Sequence, residues 1–281
     1  MLFADLTSMG LGNQLFVIFA LLAYSLKTKT SVGFWRSEDA SNCYAAFRPS
    51  YWDSLFRPIR GLVLRIRGVN SAPIWSQKRF SFRPIPVFPD GAMVRVGGYL
   101  QSWRYFSVQY HAVAKLLQLP RQRMAVVEAN PVEDSVGLHF RLGDYKKYPA
   151  YHPIQTTAYY TRALAYIAKK TGKSDWDVVF FCETEDLDAV TGTIAQLKIA
   201  SPNMRFRRAS SALADWEQLL LMSGCRHNII ANSSFSWWGA YLNPNPEKIV
   251  CYPSAWFGPA AAADIDSTKD LCPPTWHQVE S

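Results

Sequence analysis

From Asp134 onward, short apolar runs of strand length alternate with longer amphipathic runs of helix length, and no other feature narrows the fold as far. "SVGLHF" (135–140) precedes the helical pattern "TAYYTRALAYIAKK", and "DVVFFC" (177–182) precedes "LDAVTGTIAQLK". "MRFRR" leads to "ADWEQLLLMSGC", "HNIIA" to "SFSWWGAYL", and "KIVCYP" closes the series. Four βα units and a last strand, joined by short connections, require a parallel sheet covered by helices. This half reads as doubly wound.

The N-terminal half is less regular. It opens with a strand-like "MLFADL", a loop "TSMGLGNQ", an apolar helix from about Leu15 to Lys27, and "SVGFWR". A Pro- and Arg-rich middle follows, then "MVRVGGYL" and a helix "YFSVQYHAVAKLLQL". That pattern predicts a second α/β unit carrying an irregular basic insertion. The boundary falls in "EANPVED" (128–134), where Pro131 and polar residues interrupt the periodicity, giving domains 1–130 and 131–281. Two facing α/β domains place ligands at the carboxyl ends of their strands.

Nearly half of the 281 residues are apolar, 49%, which suffices for a substantial core. The apolar run "LFVIFALLAYSL" (15–26) is about half of the ~20 residues a membrane crossing needs. The start "MLFADL" has no basic leader, so a soluble, cytoplasmic chain is expected. The cysteines Cys43, Cys182, Cys225, Cys251 and Cys272 show no CxxC spacing and read as reduced packing residues. The net charge of +8 asks for an anionic partner. Nucleic acid is not expected, because no aromatic-basic RNA motif or zinc-finger spacing occurs. Between Asp53 and Asp90 stand Arg57, Arg60, Arg65, Arg67, Lys78, Arg79 and Arg83 with no acid. They form either a solvated rim or a surface for an anionic acceptor or membrane.

Three segments could carry chemistry. In "VGLHFRLGDYKKY", Val136, Leu138 and Phe140 share one strand face, so His139 and Arg141 project from the other. Gly143 permits a tight turn, and Asp144 and Tyr145 follow on the loop. A guanidinium fork suits a diphosphate, although an Arg–Asp pair can also simply tie off a strand. In "IIANSSFSWWGAYLNP" (229–244), a strand hands over through Asn232, Ser233 and Ser234 to a helix containing Phe235, Ser236, Trp237 and Trp238. Hydroxyls and unpaired N–H groups at a helix start form an anion site, or an ordinary N-cap. The third segment, "MGLGNQLF" (9–16), has Leu15 where a dinucleotide fingerprint needs glycine, which argues against NAD. Gly10 and Gly12 still allow close backbone approach, and Asn13 and Gln14 offer paired donors and acceptors. Of the D-x-D patterns, "DWD" (175–177) stands at the amino end of a strand, away from the expected ligand edge, and "DID" (264–266) lies in an Ala/Ser-rich tail, so no metal is expected.

Taken in order, "GLGNQLF", "GYLQSWRYF" (98–106), "HFRLGDY" (139–145), "LMSGCRHNIIANSSFSWWGAYLNP" (221–244) and "WF" (256–257) resemble the α-1,2-fucosyltransferases of glycosyltransferase family 11. The resemblance spans about residues 5 to 260. It implies a GT-B fold of two facing Rossmann-like domains, the N-terminal one on the acceptor side and the C-terminal one binding the nucleotide sugar. It also implies GDP-β-L-fucose as donor substrate, no cofactor, inversion at the sugar carbon and no metal. The family's HxRxGD arginine, which contacts the donor diphosphate, corresponds to Arg141 and its histidine to His139. Residues 232 to 238 then line the nucleotide. Leu142 stands where many relatives have a second basic residue. Gln218 follows Glu217 where an acid often stands, which leaves Glu217 or Asp215 to read guanine.

The expected reaction transfers L-fucose to a galactose 2-hydroxyl of a glycan by one in-line displacement. Arg141 and the donors of Asn232 to Ser236 stabilise the leaving diphosphate, and Asp144 is the best-placed carboxylate for a base. Another fucosyl linkage, α-1,6 or protein O-fucosylation, is the main alternative. A non-catalytic glycan- or nucleotide-binding protein is the other.

Overall fold

The computed structural model describes residues 1–7, 9–35, 51–64, 72–77, 80–262 and 265–281. The chain divides into two compact units, Met1–Gln122 with Asp264–Pro273, and Arg123–Ala263 with Pro274–Ser281.

The first unit carries β1 (Leu2–Asp5), α1 (Leu11–Thr28), β2 (Val32–Trp35), β3 (Val63–Leu64), β4 (Ile74–Ser76), β5 (Val94–Gly97) and α2 (Tyr110–Leu116). Its sheet runs in the order β3-β2-β1-β5-β4, with every pair parallel. Helix α1 is longer than the apolar run predicts and could span a bilayer by length and composition alone. Yet 72% of it is buried within the fold, as in the core helix of an α/β domain. The single helix expected over "YFSVQYHAVAKLLQL" is broken: Gln118 turns left-handed at φ +52, and Pro120 starts α3 (Leu119–Ala129). Proline is tolerated there because the first helical N–H groups have no partner to lose. The division between the units falls inside α3, upstream of the polar "EANPVED" segment.

The second unit carries β6 (Ser135–His139), α4 (Thr157–Thr171), β7 (Asp177–Phe181), α5 (Leu187–Ala200), β8 (Arg205–Arg208) and α6 (Asp215–Met222). It continues with β9 (His227–Ile229), α7 (Ser234–Tyr241), β10 (Val250–Pro253) and β11 (His277–Val279). The order is β11-β10-β9-β6-β7-β8, again wholly parallel, which puts β6 inside the sheet between β9 and β7. Val136, Leu138 and Phe140 join Tyr160, Leu164 and Ile194 in one core. On the opposite face Gly137 leaves room for the Cys225 sulfur, which would lie 3.0 Å from an added Cβ. Among the described residues, Cys182, Cys225, Cys251 and Cys272 are all buried. Cys43 lies outside the described residues. Two parallel-sheet α/β units are the pair of Rossmann-like domains expected of the GT-B class.

Candidate active site

Strand β6 delivers the HFRLGD segment to the carboxyl edge of the second sheet, where ligands of open α/β folds bind. The Phe140 N–H donates to the Phe181 carbonyl (2.9 Å), carrying the ladder one residue beyond the strand. Arg141 follows, with its side chain only 14% exposed. One terminal nitrogen donates to Asp144 Oδ1 and the other to Glu183 Oε1. Its Cζ lies 5.1 Å from the centre of the Tyr145 ring. Burial alone would lower the Arg141 pKa, but Glu183 and Asp144 outweigh it and raise the pKa, so the cation is permanent.

The loop around Arg141 is fixed by β7 and the turn that follows it. Gly143 adopts φ +37, and a Cβ there would stand 2.6 Å from Glu183 Oε2. Its N–H donates to Asp186 Oδ2 (2.7 Å), and Lys146 Nζ donates to Asp186 Oδ1 (2.6 Å). Asp186 is almost wholly buried, and its charge is matched by these two donors. His139 ends the strand, buried, with its ring 5.3 Å from that of Phe235. Its Nδ1 has no hydrogen-bond partner. Burial and then the neighbouring Arg141 push its pKa down to about 3, so the imidazole is neutral.

The 232–238 segment forms the start of α7. Ser233 is the N-cap, its Oγ accepting from the Phe235 N–H (3.3 Å). Asn232 Nδ2 donates to the Pro153 and Trp256 carbonyls, both at 3.0 Å, while its Oδ1 accepts from Gln155 Nε2 (3.1 Å). Ser236 is fully buried and directs its hydroxyl toward the Ala231 and Ser233 carbonyls. The side chains of this run are not equally placed. Asn232, Ser233 and Ser236 build the turn, and Ser234 and Phe235 keep more exposed surface. Trp237 and Trp238 are buried packing residues. Tyr145 joins this turn to the arginine loop, its hydroxyl donating to the Asn232 carbonyl (2.9 Å).

The remaining expected residues lie elsewhere. Gly10, Gly12, Asn13 and Gln14 start α1 in the first unit, after the carboxyl end of β1. Gly10 has open space around its missing Cβ. Asn13 Oδ1 accepts from Gln101 Nε2 (2.7 Å), and Gln14 Nε2 donates to the Met9 carbonyl (2.8 Å). Glu217 accepts from the Ala214 N–H (2.8 Å) at the start of α6, where it caps the helix. Asp177 stands at the amino end of β7, paired with Arg205 (2.7 Å), and Asp266 accepts from Ser81. No cluster of three or more His, Cys, Asp or Glu suited to a metal occurs among the described residues. Of the basic insertion, Arg57, Arg60 and Arg83 are described; Arg65, Arg67, Lys78 and Arg79 are outside the described residues.

Glu183 and Asp186 were not singled out from sequence. Their signal was available: both follow "DVVFFC" directly, and the end of a strand beside β6 must lie beside Arg141. The model for Glycosyl transferase family 11 matches residues 95–260. An α-1,2-colitosyltransferase of Escherichia coli is 27% identical over 226 residues, covering 76% of this chain and 74% of that protein. An O-antigen biosynthesis glycosyltransferase of the same species is 35% identical over 127 residues, 44% of this chain and 39% of its own. A galactoside 2-alpha-L-fucosyltransferase of Caenorhabditis elegans is 23% identical over 298 residues, 96% of this chain and 77% of its own.

Proposed function

Because the chain belongs to glycosyl transferase family 11, we propose that it moves L-fucose from GDP-β-L-fucose to a galactose 2-hydroxyl of a glycan, with inversion. The observation that carries this reading is Arg141, a permanent cation at a strand's carboxyl edge with two carboxylates holding its fork. As the bond between the sugar carbon and the diphosphate breaks, charge develops on the leaving oxygens. A preoriented guanidinium stabilises that charge without having to reorganise. The start of α7, reached through Tyr145, adds backbone donors and the positive end of a helix. In this reading no divalent cation takes part. The reaction takes place in the cytoplasm, on an acceptor that can be lipid-linked.

A second donor merits equal testing. The E. coli relative named for α-1,2-colitosyl transfer matches three quarters of this chain, and colitose is L-fucose without its 3-hydroxyl. The test is incubation with GDP-fucose and with GDP-colitose against a panel of galactose-terminated glycans, with and without excess chelator, followed by linkage analysis. An α-1,2 product formed equally well under chelator is expected. An α-1,6 or protein-linked product would replace the acceptor assignment, and activity restored only by manganese or magnesium would overturn the metal-free reading.

A further inference from the structure

An in-line transfer needs a group to take the proton of the incoming hydroxyl, and the carboxylates at this sheet edge are already engaged. Asp144 and Glu183 both hold the Arg141 guanidinium, so neither oxygen that does so is open to an incoming hydroxyl. Asp186 is buried between the Gly143 N–H and Lys146. His139 is sealed inside the end of β6. In the first unit, Asp5 at the end of β1 accepts from the Thr7 N–H and hydroxyl.

One side chain at the edge of the second sheet differs from these. His152 stacks on Tyr145, ring centres 4.6 Å apart and planes 17° from parallel, with Phe257 at 6.0 Å. Tyr145 is the ring that Arg141 overlies, so one aromatic plate joins the diphosphate-binding cation to an imidazole. The ring nitrogens of His152 make no hydrogen bond among the described residues, while its backbone N–H is fixed to the Tyr148 carbonyl (2.9 Å). Gly258 holds this loop in place: its N–H donates to the Tyr151 carbonyl (2.9 Å), and any Cβ would strike the Ala150 carbonyl at 2.2 Å. Arg141 Cζ lies 5.1 Å and the His152 ring 4.6 Å from the centre of the one Tyr145 ring, which sets the cation and the imidazole close together at the sheet edge.

We propose that His152 is the general base of the transfer, accepting the proton of the acceptor's hydroxyl. This rests on the reading of the chain as a GDP-sugar transferase and goes beyond it by naming the base. The acceptor oxygen gives its proton to the imidazole and forms the new bond to the sugar carbon. The bond from that carbon to the diphosphate breaks, and its electron pair leaves with GDP. The charged groups around the imidazole are Asp144 and Arg141, with the Tyr145 hydroxyl committed to the Asn232 carbonyl. Burial, then Arg141, draws the His152 pKa below 6.5 against the opposing pull of Asp144. The ring is therefore neutral, and competent as a base, at pH 7.

The test compares wild-type protein with His152→Gln and His152→Ala. It measures GDP binding by calorimetry, acceptor transfer as a function of pH, and rescue of His152→Ala by added imidazole. General-base removal should lower kcat by about 10²- to 10⁴-fold. GDP affinity should stay unchanged, imidazole should restore part of the rate, and the acid limb of the wild-type profile, with its midpoint below pH 6.5, should vanish. His152→Gln with near wild-type kcat and the same acid limb overturns the base alone, as does loss of GDP binding along with activity in both variants. Wild-type protein that transfers no sugar from any GDP donor overturns the reading of the activity, and the base with it.

Discussion

At the scale of single residues, the site depends on one glycine. Gly143 sits at φ +37, where a side chain is strained, and the space its Cβ would fill holds Glu183 Oε2. Gly143→Ala should therefore cost about 1–2 kcal/mol of stability from left-handed backbone alone. It should also push Glu183 off Arg141, so kcat falls as in Glu183→Gln while the protein remains folded in thermal melts. Equal turnover by Gly143→Ala and wild type would show that the Glu183 contact does not orient the arginine. The Arg141–Asp144 pair was legible in sequence because both residues lie within three positions on one turn. Glu183 was not, since its place beside Arg141 depends on which strand neighbours β6. Asn232 shows a different limit. Its residue type suits a ligand and a turn equally well, and its contacts to Pro153, Trp256 and Gln155, which build the turn, depend on segments distant in sequence.

At the scale of elements, α7 is held at both ends by different chemistry. Ser233 caps its start, and at its end Lys248 Nζ donates to the Ala240, Tyr241 and Asn243 carbonyls at 2.9, 3.3 and 2.7 Å. A cation there satisfies orphan carbonyls and complements the helix dipole. Burial, then Arg123, nevertheless lowers the Lys248 pKa to about 8 from its ordinary 10.5. Between those values the unfolded chain binds more protons than the folded one, so this lysine's contribution to stability rises with pH. Below pH 8 the full cost of burying the charge is present. Wild type should therefore gain stability relative to Lys248→Met as pH is raised from 8 to 10.5 in paired urea titrations; a constant difference would contradict that titration. Sequence periodicity disclosed β6, β7 and β9 because each is an apolar run followed by a helix, β8 because "MRFRR" precedes one, and β10 as the apolar run that closes the series. It missed β11, a three-residue edge strand without such a run, and the break between α2 and α3, which turns on the single backbone angle at Gln118.

At the scale of the whole molecule, sequence composition and pattern sufficed for two α/β units but not for the path the chain takes through them. The first unit was hard to read because β3 and β4 are two and three residues long and sit within the irregular insertion. The path was hard because residues 264–273 return to the first unit before the last eight rejoin the second. What brings them back is polar and local. Asp270 accepts from the Ser102 hydroxyl (2.7 Å), the Arg104 guanidinium (2.9 Å) and the Phe82 N–H (3.2 Å), and Asp266 accepts from Ser81. None of these contacts announces itself in a tail that reads as Ala- and Ser-rich. The consequence belongs to recombination. Neither unit is formed by one uninterrupted stretch, so the first unit cannot be exchanged between relatives by a single crossover near residue 122. A chimera that imports only residues 1–122 from a relative would set foreign partners against Asp266 and Asp270. One that imports 264–273 as well should melt several degrees higher, and equal melting temperatures would mean that the returning segment is indifferent to its host. Shuffling events that survive selection in such a chain should therefore come in pairs, the second breakpoint pair bracketing the decapeptide 264–273.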